Sequence, residues 1–140
     1  MISKFDDEYA FLSNFYSAPV LYNGLVFANN EAAFQAQKCP YRSIEFTFID
    51  NPGTAKRLGR KVKIREDWEE IKDRVMYEVC LCKFTQHEDL KKKLLETGSE
   101  ELIEGNYWHD CYWGVCEGQG KNKLGKILMK IREELRKEVL

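Results

Sequence analysis

The sequence predicts an α+β fold, helix-rich, with one small β-sheet built around a hairpin. Three observations carry this expectation. Apolar residues recur at helical spacing in two long segments, residues 67–84 and from Lys123 to the C-terminus. Asn23-Gly24 stands between two short apolar runs, the strongest short-range hairpin signal. The stretch from Leu102 to Cys116 is aromatic and punctuated by glycine, which reads as short strands and loops.

Composition sets the bounds. The 140 residues carry a formal net charge of -1, with 44% hydrophobic and 32% charged residues, enough apolar material for one core. No linker, repeat or low-complexity tract divides them, so a single domain over residues 1–140 is expected. Disorder, a collagen-like fibre and a coiled-coil rod are excluded by this balance. No apolar run approaches the roughly 18 residues of a spanning helix, so no membrane partner is expected. Near-neutral charge argues against bulk, sequence-blind duplex binding as the main task. The five cysteines are an odd number and no apolar secretory segment opens the chain, so reduced thiols and a cytoplasmic location are expected.

The elements follow in chain order. Val20 and Leu21 before the turn, with Leu25, Val26 and Phe27 after it, form the hairpin between Pro19 and Ala28. Asn30 is placed to cap a helix from Glu31 to about Cys39, stopped by Pro40. A short helix is expected over Ile44 to Asp50, and Pro52-Gly53-Thr54 opens another that ends near Gly59. Trp68, Ile71, Val75, Val79 and Cys82 define the buried stripe of a helix from Asp67 to Phe84. Glu88 to Thr97 forms a further helix closed by Gly98. Leu124, Ile127, Leu128, Ile131 and Leu135 stripe the last helix.

Four segments carry chemistry. On the helix after the hairpin, Glu31, Phe34, Gln35 and Lys38 share one face. If Phe34 faces inward, it draws a carboxylate and an amine toward a cavity edge, where they suit acid–base or Schiff-base work. The plainer reading is a solvated Glu/Gln/Lys face with the alanines against the core. Lys56, Arg57, Arg60, Lys61, Lys63 and Arg65 form a basic run that fits either phosphate or a solvated surface. From Glu104 to Gly114, two tryptophans, two tyrosines, a histidine and two acids fit a ligand wall as well as an aromatic minicore. The turn from Gly118 to Asn122 before the last helix fits an anion. It nearly spells a P-loop, but Ile127 stands where Ser or Thr would reach magnesium, and too little chain follows for an NTPase sheet. Cys80, Cys82, His109, Cys111 and Cys116 lack a regular zinc spacing, so buried thiols are expected and no metal.

With these residues in place, the chain resembles the NADAR family, the YbiA-like N-glycosidases. The resemblance covers nearly the whole length. It rests on Phe11-Leu12-Ser13-Asn14-Phe15 with Pro19, then Phe27 to Lys38 with Glu31, Gln35, Ala36 and Lys38. Leu58-Gly59-Arg60 through Asp67-Trp68, with Met76 and Lys83-Phe84, continues it. Leu102-Ile103-Glu104, Asp110, Trp113-Gly114 and the run Gly120, Asn122, Leu124, Gly125, Leu128, Met129 and Arg132 close it.

The resemblance implies hydrolysis of an N-glycosidic bond between a ribose and a nitrogenous group, with no cofactor. The implied partners are small nucleotide-like ribosylamines, such as riboflavin-pathway intermediates, and ADP-ribosyl-guanine, including ADP-ribosylated nucleic acid. Glu31 and Asp110 are expected to do the charge work around an oxocarbenium-like transition state, and Lys38 to form a Schiff base. Trp68 and Trp113 would stack on the base, Arg60, Lys61, Gly120 and Asn122 would hold phosphate, and Asn14, Phe15 and Gly114 would edge one shared cleft. Glu104 is a further acid candidate. A module that binds ADP-ribose without turnover fits the aromatic wall and phosphate loop equally well.

Overall fold

A computed structural model describes residues 1–139. The chain forms two compact units, Asn14–His87 and the union of Met1–Ser13 with everything from Glu88 onward.

In the Asn14–His87 unit, β1 (Ser17–Tyr22) and β2 (Leu25–Asn29) form an antiparallel hairpin with Val20 opposite Phe27 and Tyr22 opposite Leu25. Asn23 (φ 50°) and Gly24 (φ 80°) both take left-handed backbone, as a two-residue turn of right-handed twist requires. Ala18, Val20 and Tyr22 alternate inward along β1. The side-chain amide of Gln86 bonds both the N–H and the carbonyl of Leu21 at 2.9 Å, so a helix end covers the outer edge of the hairpin.

Helix α1 (Asn30–Ala36) follows without a loop. Its N-cap is Asn29, whose Oδ1 accepts from the Ala32 N–H at 2.9 Å, so the cap lies one residue earlier than expected. Asn29 is still extended (φ -160°), the geometry a cap needs, whereas Asn30 is already helical. The helix also stops at Ala36, short of Cys39. A 3-10 helix begins directly at Pro40 and runs to Phe48, in place of the helix expected at Ile44–Asp50. Proline is preset for a first helical turn, so Pro40 starts this element as well as ending the previous one.

Helix α2 (Pro52–Gly59) is capped by Asn51, which accepts from Gly53 and Thr54. Helix α3 (Trp68–Gln86) buries Trp68, Val75, Met76, Val79, Cys80, Lys83 and Phe84. The buried face is therefore rotated from the expected stripe: Ile71 and Cys82 are only half-buried, and Lys83 is 1% exposed. Helix α1 packs against the hairpin, the 3-10 helix, α2 and α3, and all seven of its residues are buried.

The other unit holds a 3-10 helix (Asp7–Leu12), α4 (Glu88–Glu96), two-residue strands β3 (Gly105–Asn106) and β4 (Val115–Cys116), and α5 (Lys123–Val139). Strands β3 and β4 run parallel. Leu90 and Leu94 of α4 are buried, as are Leu124, Leu128, Ile131 and Leu135 of α5. Gly98 closes α4 with φ 65°. Residue Ile2 bonds to Glu101 and Ile103, tying down the first residues. Among the described residues no helix is long and apolar enough to cross a membrane.

Burial moves the Lys83 ammonium down to about 8, with the rings of Tyr16 and Phe84 at 5.4 and 5.1 Å from Nζ. Because the unfolded chain holds that proton up to the ordinary lysine range, it binds more protons than the folded state between pH 8 and 10.5. Stability contributed at this position therefore rises with pH across that window. Urea unfolding of wild type and Lys83→Met, compared from pH 7 to 10.5, is expected to show the wild type gaining on the variant by about 3 kcal/mol.

Candidate functional site

Glu31 sits in the first turn of α1, where a carboxylate is favoured by the helix dipole, and is 7% exposed. Its backbone N–H donates to the Asn14 carbonyl at 3.1 Å. The side chain of Gln35, one turn on, donates from Nε2 to Glu31 Oε1 at 3.1 Å. The acid is thus held at the main chain and at the carboxylate. The inward reading of this face holds, and the solvated one fails, because the alanines and the polar residues are buried together.

Lys38 lies just past the helix, half-buried, with its carbonyl accepting from the Arg65 N–H at 2.8 Å. Its Nζ is 6.0 Å from the centroid of the Trp68 ring, and Trp68 packs on Phe34 at 5.1 Å. Burial holds the Lys38 ammonium below the usual lysine range. Glu31 opposes this, and Arg60, Lys56 and Lys72 add to it. So Glu31, Lys38, Trp68 and Arg60 form one electrostatic neighbourhood inside this unit. Arg60 and Lys61 are exposed, at the end of α2.

Asn14 is not at an edge. Its side chain is buried, donating to Met76 Sδ at 3.3 Å and accepting from Asn30 Nδ2 at 3.1 Å. Asn30 also reaches Cys80 Sγ at 3.7 Å. Phe15, by contrast, is 47% exposed.

The remaining expected site residues belong to the other unit. Asp110 Oδ1 accepts from the N–H groups of Tyr112 and Trp113 at 3.1 and 2.9 Å, the geometry of an Asx turn. Asn106 bridges Glu104 Oε2 and the Asp110 carbonyl at 3.0 and 2.9 Å. Gly114 lies against this network: a Cβ there would stand 2.2 Å from the Glu104 backbone carbonyl as well as against its carboxylate, so no other residue fits. Gly120 has φ 147° and faces the Gly114 carbonyl, again leaving no room for a side chain. Asn122, expected at phosphate, has both ends of its amide on the main chain, accepting from Glu104 N–H at 3.0 Å and donating to Leu102 O at 2.9 Å. Its work is to join the start of α5 to the strand region. Tyr112 and Trp113 stack edge to face at 4.8 Å and are half-buried, while Tyr107 is 85% exposed.

Cys39, Cys80 and Cys116 are buried, Cys82 is half-buried and Cys111 exposed; all five are free thiols. Among the described residues no group of three or more His, Cys, Asp or Glu is arranged to hold a metal ion. The sequence places Lys83, Gln35 and Gly59 within its motifs but assigns none of them a role at the site. Lys83 was findable, since it continues the i, i+4 row of Val75 and Val79. The role of Gly59 was not, because its contact with Gln35 is made by folding alone.

Comparison with known proteins bears on this arrangement. A family model described as NADAR domain matches residues 2–136. N-glycosidase YbiA of Escherichia coli is 38% identical over 135 residues, 92% of this chain and 83% of that protein. N-glycosidase Npun_R5314 of Nostoc punctiforme is 43% identical over 88 residues, 61% of this chain and 56% of that protein. Riboflavin biosynthesis protein VVA0006 of Vibrio vulnificus is 36% identical over 135 residues, 93% of this chain and 36% of that larger protein. The NMR structure of E. coli YbiA matches with a TM-score of 0.86 at 35% identity, covering 99% of this chain and 89% of that one.

Charge and architecture at Asp110 are separable. Asp110→Asn keeps an acceptor for both N–H groups and is expected to unfold as wild type does. Asp110→Ala opens the turn and is expected to lose about 1–2 kcal/mol in urea. A folded Asp110→Asn protein with lost turnover would assign the carboxylate to the reaction, and full turnover would leave it to the turn.

Proposed function

Because the chain belongs to the NADAR domain family, we propose that Glu31 and Lys38 together cleave the bond between C1 of a ribose and a nitrogenous group. The chain is an N-glycosidase; the substrate and route are our reading. The observation that carries it is a buried carboxylate and a half-buried lysine on one short segment, with the lysine displaced toward its neutral form.

A neutral Lys38 amine attacks C1 of the ring-opened ribosyl group. In the opened form C1 is doubly bonded to the nitrogenous group; that nitrogen takes one proton from Nζ and one from solvent, its bond to C1 breaks as it leaves as a free amine, and C1 remains joined to Nζ as a protonated imine. Water then adds to C1, Glu31 takes its proton, and the C1–Nζ bond breaks to release the sugar and restore the amine. Trp68 closes one side of the amine, and Arg60 and Lys61 supply charge for a phosphate. The substrate class we infer is a ribosylamino nucleotide, a choice supported by the riboflavin-biosynthesis relative. ADP-ribosyl-guanosine is the other substrate to set beside it.

The direct test is Glu31→Gln and Lys38→Ala, each checked for folding, with release of the nitrogenous product measured on both substrates. Losses of about 100-fold or more are expected. Borohydride added during wild-type turnover should leave a sugar adduct on Lys38, seen by peptide mass spectrometry. Wild-type turnover in both folded variants would sink the assignment, and tight binding without turnover by the wild type would favour a binding module.

A pH profile gives a second test. Lys56 helps hold the Lys38 ammonium below its usual range. Lys56→Met removes one positive neighbour, so the ammonium is favoured and the amine becomes scarcer at neutral pH. The acid limb of kcat is expected to move to higher pH, with the high-pH plateau unchanged.

A further inference from the structure

Gln35 carries an imbalance that its place in the fold does not require. Its Nε2 donates to Glu31 Oε1 at 3.1 Å, yet its own Oε1 is fully buried with no hydrogen-bond partner. The reason for the second fact lies on α2. That oxygen lies over Gly59, where a Cβ would stand 2.0 Å from it and 2.8 Å from the amide carbon. A buried acceptor without a donor is unfavourable, and a hydrocarbon of the same size would not carry that cost. Turning the amide over does not help. It would bring the carbonyl oxygen against the Glu31 carboxylate, setting two acceptors face to face.

We propose that Gln35 is a positioning residue for the reaction, held in an unfavourable setting because its N–H group fixes the orientation of the Glu31 carboxylate. Gly59 is the other half of the device: its missing side chain is the space into which the orphaned carbonyl fits. This rests on the reading that Glu31 takes part in the chemistry. A positioned acid–base group loses rate steeply when its geometry relaxes, even with its charge intact. The arrangement is thus a trade in which local stability is given up for orientation.

The test uses the full chain with Gln35→Met, which fills the same volume without an amide. The expected result has three parts: a melting temperature equal to or above wild type, kcat lower by tenfold or more, and KM within about twofold. The double variant Glu31→Gln/Gln35→Met should be no slower than Glu31→Gln alone, since the amide acts only through the carboxylate. Gly59→Ala is the second variant. Its methyl pushes the amide aside, so kcat should fall with Gln35 still present, and this loss should vanish in the Gln35→Met background.

A Gln35→Met protein that keeps wild-type kcat, or that loses stability or folding, overturns the proposal, as does a full extra loss in the double variant. These outcomes are distinct from failure of the underlying reading. Inactive Glu31→Gln beside fully active Gln35→Met removes only the role of Gln35, whereas wild-type turnover in Glu31→Gln removes the role of Glu31 and that of Gln35 with it.

Discussion

Helix α1 has seven residues and no exposed face, and three of its buried side chains are polar: Asn30, Glu31 and Gln35. A helix so short has little stability of its own, so its packing must hold it. Polar groups taken inside call for partners, and all three of these side chains find at least one, although Asn30 Oδ1 and Gln35 Oε1 are left without any. These two demands organise the Asn14–His87 unit. Asn29 caps the helix and at the same time donates to the Asp50 carbonyl at 3.0 Å, binding the end of β2 to the segment that leads into α2. The Asn14 main chain accepts from Glu31, and its side chain accepts from Asn30. The same network that lets the helix exist also holds its carboxylate.

Electrostatics at Lys38 follow from that packing. A lysine on an open surface would lean toward its ordinary range, and the nearby Glu31 alone would favour the ammonium. Burial outweighs that attraction, and the positive charges of Arg60, Lys56 and Lys72 add to it. The positive charges around α2 therefore act on a neighbouring ammonium, favouring its neutral form. Lys83 shows the same physics where no such neighbours are needed. Complete burial between aromatic rings brings it down to about 8.

Close backbone approach is the other recurring device. Gly59 admits the Gln35 amide, Gly114 admits the Glu104 carboxylate, and Gly125 admits the Leu102 carbonyl at a distance that forbids a side chain. In the second unit these contacts, with Asp110, Asn106 and Asn122, convert an aromatic-rich segment into a braced loop. The polar residues there do structural work that accounts for much of the segment's unusual composition.

Local chemistry made much of the fold legible. Asn-Gly at residues 23–24 specifies its hairpin because both positions need left-handed backbone, and the proline and capping signals of α2 act within a few residues. The long helices follow from apolar periodicity, and the family from the order of its motifs. What the sequence alone could not decide was which side of a short helix faces in. Glu31 and Lys38 were legible as a candidate pair, but a solvated face fits the same letters. Burial against the hairpin, the 3-10 helix, α2 and α3 decided it, and with it the direction of the Lys38 shift. Residue Gln35 and its partner Gly59 are 24 positions apart, so their contact has no local signature. The one-residue displacement of the cap to Asn29 has the same origin: strand pairing to Ser17 holds that residue extended, and only the folded sheet supplies that constraint.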